Sequence, residues 1–271
     1  MSIHQGGVSL VPTVPVDVVG ILNVTPDSFS DGGKYFDPTS AILKGLEMFS
    51  DGATIVDVGG ESTRPGATPI SVAEEIRRVV PVIEELSRHG RVSIDTFKAD
   101  VAVAAIRAGA SQVNDISSLL HEVAANFGAG WVAMHMKGTP ANMQSNPIYE
   151  DVVEEVISYL SDKIVIAQKL GIEEIYIDPG IGFGKTLEHN LQILASLSRI
   201  CELGVPVYLG TSRKSFLGKL IAEVEGDDVP PNDRLEGNLA TIAWATSVGV
   251  SALRVHDVKS TCDYLRLAGL S

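Results

Sequence analysis

Short apolar runs rich in β-branched residues alternate along this chain with longer stretches in which apolar residues recur at helical spacing. This alternation is typical of βα units that build a mostly parallel sheet. The apolar runs predict eight strands, which are Val16–Leu22, Thr54–Val58, Arg91–Asp95, Gln112–Asp115, Trp131–His135, Ile175–Asp178, Val205–Gly210 and Ala252–His256.

Helical periodicity is clearest in Val72–Leu86, where the apolar residues fall on one face of the predicted helix. Eight strands, each followed by a helix or a helical remnant, within about 250 residues favour a (β/α)8 TIM barrel over an open doubly wound sheet. No repeat, low-complexity segment or linker divides the sequence, so we expect residues 1–271 to form a single domain. The further predicted helices are Thr39–Ser50, Ala99–Ala108, Val152–Leu170, His189–Arg199, Leu235–Val248 and Lys259–Leu267.

Composition and charge narrow the range of partners. The formal net charge is −13 and no dense basic cluster occurs, which argues against binding to nucleic acid or to an anionic membrane. Cys201 and Cys262 lack the spacing of a disulfide framework or a zinc site and suit a reducing compartment. Met1–Pro15 lacks the features of a signal peptide, and no apolar run approaches the roughly 20 residues of a membrane span. We therefore expect a cytoplasmic protein.

Polar residues recur where the predicted strands end. In a parallel barrel these ends meet on one face, which is where such folds place their sites. Helix capping is an equally good interpretation for Asp57 and for Asp115 taken alone, but capping does not require Lys, Arg and His at the same ends. The set comprises Asn23, Asp57, Asp95, Asn114, Asp115, His135, Asp178, Ser212, Arg213, Lys214, Arg254 and His256.

Two kinds of chemistry are indicated on that face. Three basic side chains fall at neighbouring strand ends of an acidic protein, at Lys214, Arg254 and His256. We call these residues the cationic corner, and they favour recognition of phosphate or pyrophosphate. Asp95, Asn114 and Asp178 suit the donor-rich edge of a planar heterocycle, although a buried polar network is the alternative. The segments 23–38 and 59–69 are long for βα connections, so we expect them to act as lids.

The segments NVTPDSFSDGG, VDVGGESTRPGA, SIDT, VND, MHM, DPGIGFGK, SRKSFLG, RLEGNLAT and RVHDV resemble, in order and spacing, those of bacterial dihydropteroate synthases. The resemblance runs from about Val18 to Leu267. It implies a barrel, usually homodimeric, that condenses 6-hydroxymethyl-7,8-dihydropterin pyrophosphate with 4-aminobenzoate using Mg2+, and that sulfonamides inhibit at the aminobenzoate position.

The same resemblance implies a role for individual residues. Asp95, Asp178, Lys214 and Asp31 would be catalytic, with Asp31 acting from the first lid. The ligand sets that it implies are Asp95, Asn114, Met134, Asp178 and Lys214 for the pterin; Asn23, Thr63, Arg254 and His256 for pyrophosphate, with Asn23 also on the metal; and Thr63, Arg64, Pro65, Phe183, Lys214 and Ser215 for 4-aminobenzoate.

A packing role is the alternative for Met134, His135 could cap strand five, and Ser215 could be no more than the first residue of a helix. The region from about Ile116 to Gly130 departs from the family pattern and is shorter, which leaves the fourth helix in doubt. Two other functions stay open. One is a catalytically inactive pterin-binding paralogue, and the other is a corrinoid-linked methyltetrahydrofolate methyltransferase domain, which would need neither the cationic corner nor the two long loops.

Overall fold

The computed structural model describes residues 15–25, 38–62, 68–139, 142–227 and 229–270. Eight parallel strands form one sheet in the order β6-β5-β4-β3-β2-β1-β8-β7, and a bridge between Ile177 and Val207 brings its two edges together. The predicted (β/α)8 barrel is confirmed. The strands are β1 Asp17–Asn23, β2 Ile55–Gly59, β3 Arg91–Asp95, β4 Gln112–Asp115, β5 Gly130–Met134, β6 Ile175–Asp178, β7 Tyr208–Leu209 and β8 Ala252–Val255.

Helices follow the strands and cover the outside of the barrel. Within the described residues they are α1 Pro38–Ser50, α2 Val72–Leu86, α3 Ala99–Arg107, α4 His121–Phe127, α5 Val152–Lys169, α6 Leu187–Ala195, α7 Leu197–Cys201, α8 Ser215–Glu225, α9 Leu235–Ser247 and α10 Val258–Ala268, with a 3-10 turn at Pro231–Asp233. None of these helices is long and apolar enough to cross a membrane.

Local sequence explains where several helices begin and how they pack. The Ser71 hydroxyl accepts a hydrogen bond from the backbone N–H of Glu74 at the start of α2, and Asp151 caps α5 in the same way. Helix α1 lies close against α2, since a Cβ on Gly45 would sit 2.5 Å from the Leu86 side chain. Close approach of these two helices therefore depends on glycine at that position.

Two predicted elements differ from the structure, and a helix that the sequence left open is present. The strand predicted at Val205–Gly210 is reduced to the two residues of β7. The helix predicted at His189–Arg199 is two helices, because Ser196 leaves helical backbone angles between α6 and α7. The doubtful fourth helix is present as the short α4, which ends at Gly128 in the left-handed conformation.

The inside of the barrel has an apolar floor and a polar upper layer. The floor is a cluster of buried residues formed by Val19, Ile55, Val132, Tyr176, Tyr208 and Ala252. Side chains two positions apart on a strand face the same side, so the next inward residues stand one layer nearer the carboxyl ends of the strands. Those residues include Asp57, Met134, Asp178 and Arg254, and this alternation is what positions the site.

Candidate active site

A buried network of charged and polar side chains joins strands from opposite parts of the chain. The Arg254 guanidinium on β8 donates through Nε to Asp57 Oδ2 at 2.7 Å and through Nη2 to Asp95 Oδ2 at 2.6 Å. Asn114 Nδ2 also donates to Asp57 Oδ2, at 2.9 Å. Asp57 is fully buried and belongs to this network, so its position matches the predicted site rather than a helix cap.

Both carboxylates in this network are incompletely satisfied. Among the described residues, Asp57 Oδ1 and Asp95 Oδ1 are buried without a hydrogen-bond partner. An unpaired buried acceptor costs on the order of 1–3 kcal/mol, so such atoms call for a functional explanation. These two carboxylate oxygens are therefore candidate acceptors for the N–H groups of a ligand.

The charges of Asp95 and Arg254 respond differently to pH. Burial raises the pKa of Asp95 to about 7, even though the Arg254 charge lowers it. Burial acts to lower the pKa of Arg254, but the Asp57 and Asp95 carboxylates raise it by more, so the guanidinium stays charged. The network therefore holds a permanent cation beside a carboxyl group that titrates near neutral pH.

Asp178 is held by the glycine-rich turn that follows β6. Its Oδ1 accepts the Gly180 N–H at 2.7 Å, and burial raises its pKa. Gly180 has φ +67, and a Cβ there would lie 1.9 Å from the His135 carbonyl oxygen. Only glycine fits this turn, which fixes the orientation of the carboxylate.

Lys185 anchors the same turn from below, a role that the sequence analysis missed. Its buried ammonium bonds to His135 Nδ1 at 2.9 Å and to the carbonyl oxygens of Gly180 at 2.9 Å, Phe183 at 3.1 Å and His135 at 3.2 Å. Burial and Lys185 lower the pKa of His135 to about 3, so its ring is neutral and Nδ1 accepts. The sequence feature that could have indicated this role is the lysine at the end of the glycine-rich segment DPGIGFGK. His135 directly follows β5 and accepts from Lys185, so the structure places it in support of this turn.

Lys214 and Phe183 meet on the opposite side of that turn. Lys214 Nζ donates to the Ile181 carbonyl oxygen and stands 4.7 Å from the centroid of the half-buried Phe183 ring. Burial lowers the pKa of Lys214 to about 8, while the Asp178 carboxylate acts to raise it. Ser215 is the exposed first residue of α8, directly beside Lys214.

The cationic corner is built on β7 and β8. The Ser212 hydroxyl lies 3.0 Å from His256 Nδ1 and accepts the His256 backbone N–H at 3.2 Å. A Cβ on Gly210 would be 3.7 Å from Arg254 Cβ and 3.8 Å from Lys214 Nζ, so glycine leaves space between these two cations. Arg213 adopts a left-handed φ of 60 and pairs with Asp257 at 2.8 Å, away from the other cations.

Asn23 ends β1 beside Asp95. A Cβ on Gly59 would meet Asn23 Oδ1 at 3.7 Å and Asp95 Oδ2 at 3.6 Å, so both oxygens border one small space. Mg2+ prefers oxygen ligands and is commonly bound by one or two protein groups together with substrate phosphates. Within the described ranges no three His, Cys, Asp or Glu side chains cluster to hold a metal by themselves. The residues present fit a magnesium ion that arrives with a phosphate ligand.

The structure brings most of the predicted site residues together, with Met134 buried on an inward position of β5. The exceptions are Asp115, which lies on the outer side of β4 and supports the start of α4, His135, which bonds to Lys185, and Arg213, which pairs with Asp257. Asp31, Thr63, Arg64 and Pro65 lie outside the described residues, as do 26–37 and 63–67 of the two predicted lids.

Comparison with known proteins agrees with this geometry. The model of a family described as pterin binding enzyme matches residues 19–256. The dihydropteroate synthase of Mycobacterium leprae (strain TN) is 45% identical over 264 residues, which cover 94% of this chain and 93% of that protein.

Solved structures give the same result. A Xanthomonas albilineans dihydropteroate synthase with 4-aminobenzoic acid has a TM-score of 0.85 and 44% identity, covering 95% of this chain and 93% of that one. The enzyme from the same organism in complex with 7,8-dihydropteroate has a TM-score of 0.81 and 41% identity at the same coverage. The family match spans the strands that carry the buried network, and the chain therefore belongs to the dihydropteroate synthase family of pterin-binding enzymes.

Proposed function

We propose that this protein condenses 6-hydroxymethyl-7,8-dihydropterin pyrophosphate with 4-aminobenzoate to give 7,8-dihydropteroate and pyrophosphate. The observation that carries the proposal is one barrel mouth in which carboxylates stand directly beside cations. Arg254 bonds to Asp57 and Asp95, and the Asp178 carboxylate acts to raise the pKa of Lys214. We call the three carboxylates the acidic wall, and Lys214 with Arg254 the cationic wall. A reaction that separates a cation from an anionic leaving group suits a site with groups of both charges.

The acidic wall would bind the pterin. The 2-amino-4-oxo edge of a pterin presents N–H donors, and the unpaired buried oxygen of Asp95 offers an acceptor for them. Asn114, Asp178 and Lys214 would complete the polar contacts, and Met134 would pack against the ring.

The reaction would begin with breakage of the C–O bond, and pyrophosphate would leave with the electron pair. The Asp95 and Asp178 carboxylates would offset the positive charge left on the pterin methylene group. The neutral amine of 4-aminobenzoate would then attack that carbon, form the C–N bond and lose a proton. An amine is nucleophilic while neutral, so the reaction needs no strong general base.

The cationic corner would take the leaving group. Arg254 and His256 would contact pyrophosphate, with Asn23 and Thr63. Asn23 would also hold Mg2+, with Asp31 supporting the site from the first lid, and bound Mg2+ would neutralise part of the pyrophosphate charge. Phe183, Lys214 and Ser215 would line the 4-aminobenzoate pocket together with Thr63, Arg64 and Pro65.

The assembly and setting are part of the same proposal. We propose a homodimer of single-domain chains in the cytoplasm, where Cys201 and Cys262 would stay reduced, consistent with their being free thiols.

The test is to measure pyrophosphate release and pteroate formation by the purified protein with the pterin substrate and Mg2+, with and without 4-aminobenzoate. Release accompanied by pteroate is expected. Pterin binding without release would support the inactive paralogue instead, and methyl transfer from methyltetrahydrofolate to a corrinoid would support the methyltransferase.

A further inference from the structure

Four fully buried side chains inside the barrel carry polar atoms that have no hydrogen-bond partner among the described residues. These atoms are Asp57 Oδ1, Ser93 Oγ, Tyr208 Oη and both polar atoms of the Gln112 amide. The pterin contact proposed for this site uses Asp95 Oδ1 and leaves all of them unexplained. A buried polar group without a partner costs free energy, so the group of atoms calls for a common explanation.

Strand register places three of these side chains in a row. Asp57 on β2 pairs with Ser93 on β3, and Ser93 pairs with Gln112 on β4. The alternate residues Val92 and Val113 belong to the main core cluster under the helices, so the three polar side chains face the barrel interior. Neighbouring strands lie about 4.8 Å apart, which makes the three side chains direct neighbours.

Tyr208 faces this row from the other side of the barrel. In the strand order, with the edges joined between β6 and β7, strand β7 lies opposite β3. Burial raises the pKa of Tyr208, and among its charged neighbours the Asp57 carboxylate raises it most. The hydroxyl therefore stays protonated, remains a donor and lies within electrostatic reach of Asp57.

We propose that Ser93, Gln112 and Tyr208 form an internal water site that completes the hydrogen bonds of Asp57 from the floor side of the barrel. A water molecule both donates and accepts, and a buried water commonly has two to four polar partners. The two hydroxyls and the Gln112 N–H group offer donors, and the Asp57 and Gln112 oxygens offer acceptors. A cation would meet the donors and an anion would meet the Asp57 carboxylate, so water fits this mixed set best.

The water site acts on the reaction through Asp57. Asp57 Oδ2 accepts from both Arg254 and Asn114, so a water bound at Oδ1 fixes the carboxylate that holds these two side chains. Tyr208 is therefore a positioning residue for the pterin subsite and contacts no substrate. This consequence rests on the proposed function, whereas the water site itself does not.

A high-resolution crystal structure of the protein without substrates tests the water site. We expect an ordered water molecule within hydrogen-bonding distance of Asp57 Oδ1 and of at least one of the other three side chains. The same water should be lost in the structure of Tyr208→Phe. A direct hydrogen bond from Ser93, Gln112 or Tyr208 to Asp57 Oδ1, or no ordered water beside that oxygen, would overturn the inference.

The positioning role is tested by steady-state kinetics of Tyr208→Phe and of its matched control, Tyr176→Phe. Both changes remove a hydroxyl from the same apolar floor, but the Tyr176 hydroxyl already donates to Asp17 Oδ2 at 2.9 Å. Tyr208→Phe should raise the KM for the pterin substrate about fivefold and leave the KM for 4-aminobenzoate unchanged, because Asp57 loses a support. Tyr176→Phe should leave both KM values unchanged.

Equal pterin KM values in the two variants, or equal rises for both substrates in Tyr208→Phe, would contradict the positioning role. Gln112→Met provides a second variant if Tyr208→Phe folds poorly, and the same selective rise is expected from it. Absence of pteroate formation by the wild type would refute the proposed function, and the crystal structure would still decide the water site.

Discussion

The adjacent residues Asn114 and Asp115 of β4 lie on opposite faces of the barrel wall, and their hydrogen-bonding environments differ. Outside, both Asp115 oxygens are used: Oδ1 accepts from the Ser117 N–H and hydroxyl, and Oδ2 from the Leu120 N–H and the Trp131 indole. Inside, Asn114 bonds to Asp57, whose second oxygen has no partner among the described residues. Asp115, whose acceptors are all used, supports the fold, whereas the network around Asp57 keeps an acceptor for a ligand.

The two lysines that bond to the Gly180 turn repeat this contrast. Lys185 donates to two carbonyl oxygens of the turn, to the His135 carbonyl and to the His135 ring. Lys214 makes one hydrogen bond within the described residues, to Ile181, and faces an aromatic ring. Burial lowers the pKa of both, to about 7 for Lys185 and about 8 for Lys214, so a shifted pKa alone does not separate the anchor from the site residue.

The largest effect is expected from Asp95→Asn. This change keeps the shape of the side chain but removes the charge that would offset the pterin cation. We expect kcat/KM at pH 8 to fall by about 100- to 1,000-fold. Thermal unfolding should be unchanged or shifted upward, because the variant no longer buries a carboxylate of raised pKa. A loss of activity below tenfold would remove Asp95 from the catalytic role.

Asp115→Asn is the matched change on the outer face. The amide replaces one acceptor oxygen with an N–H donor that would face groups already donating to it. We expect a loss of about 2–3 kcal/mol in the free energy of unfolding, measured by urea denaturation. Activity of the folded enzyme at 25 °C should change by less than about twofold. A selective loss of activity with unchanged stability would contradict the division between the two faces.

Sequence patterns predicted the barrel and the face that carries the site, but not the division between the two faces of β4. Apolar runs that alternate with helical stretches predicted the barrel, and the polar residues at the ends of those runs marked one face of it. The partner of Arg254 was not predictable in this way. Its bond to Asp57 joins residues 197 positions apart, and such pairing exists only after the barrel closes.

Other features depend on tertiary context that no local pattern carries. From the sequence alone, Asp115 could be a helix cap or a site residue. Its bonds to Trp131 and to the start of α4 place it on the outer face of the barrel wall. Lys185 follows a glycine-rich loop, where a solvent-exposed lysine is the ordinary expectation, yet it is 3% exposed. The two residues of β7 were extended to six by apolar composition, although only Tyr208 and Leu209 pair with β8.

Lys185→Met tests the anchoring role at a smaller scale. The variant keeps most of the length of the side chain but leaves the carbonyl oxygens of Gly180 and Phe183 without this donor. We expect a looser turn and a rise of roughly fivefold in the KM for 4-aminobenzoate, equivalent to about 1 kcal/mol. Steady-state kinetics should show a smaller change in kcat. The control is Lys137→Met, since Lys137 pairs with Glu155 at the surface, and equal effects of the two variants would contradict the assignment.

The smallest effects are expected in the pH dependence, which compares the acidic and the cationic walls within one enzyme. In the proposed mechanism the ionised form of Asp95 is the active one, so kcat/KM should fall as the pH drops below about 7. The same mechanism needs protonated Lys214, so kcat/KM should also fall above about pH 8. The effect of Asp95 on the free energy of unfolding changes with pH in the opposite direction to its effect on activity. Because its folded pKa is raised, the native state binds more protons between about pH 4 and 7, and this group costs less stability as the pH falls.

Two variants test which residue controls each side of the pH profile of kcat/KM. Lys214→Arg keeps its charge at high pH and should remove the alkaline limb while retaining measurable activity. Arg254→Met removes a charge that lowers the pKa of Asp95, so the acidic limb should move to higher pH. An acidic limb that stays in place in Arg254→Met would mean that a group other than Asp95 controls it, and the acidic wall would then owe its pH response to Asp178, whose pKa burial also raises.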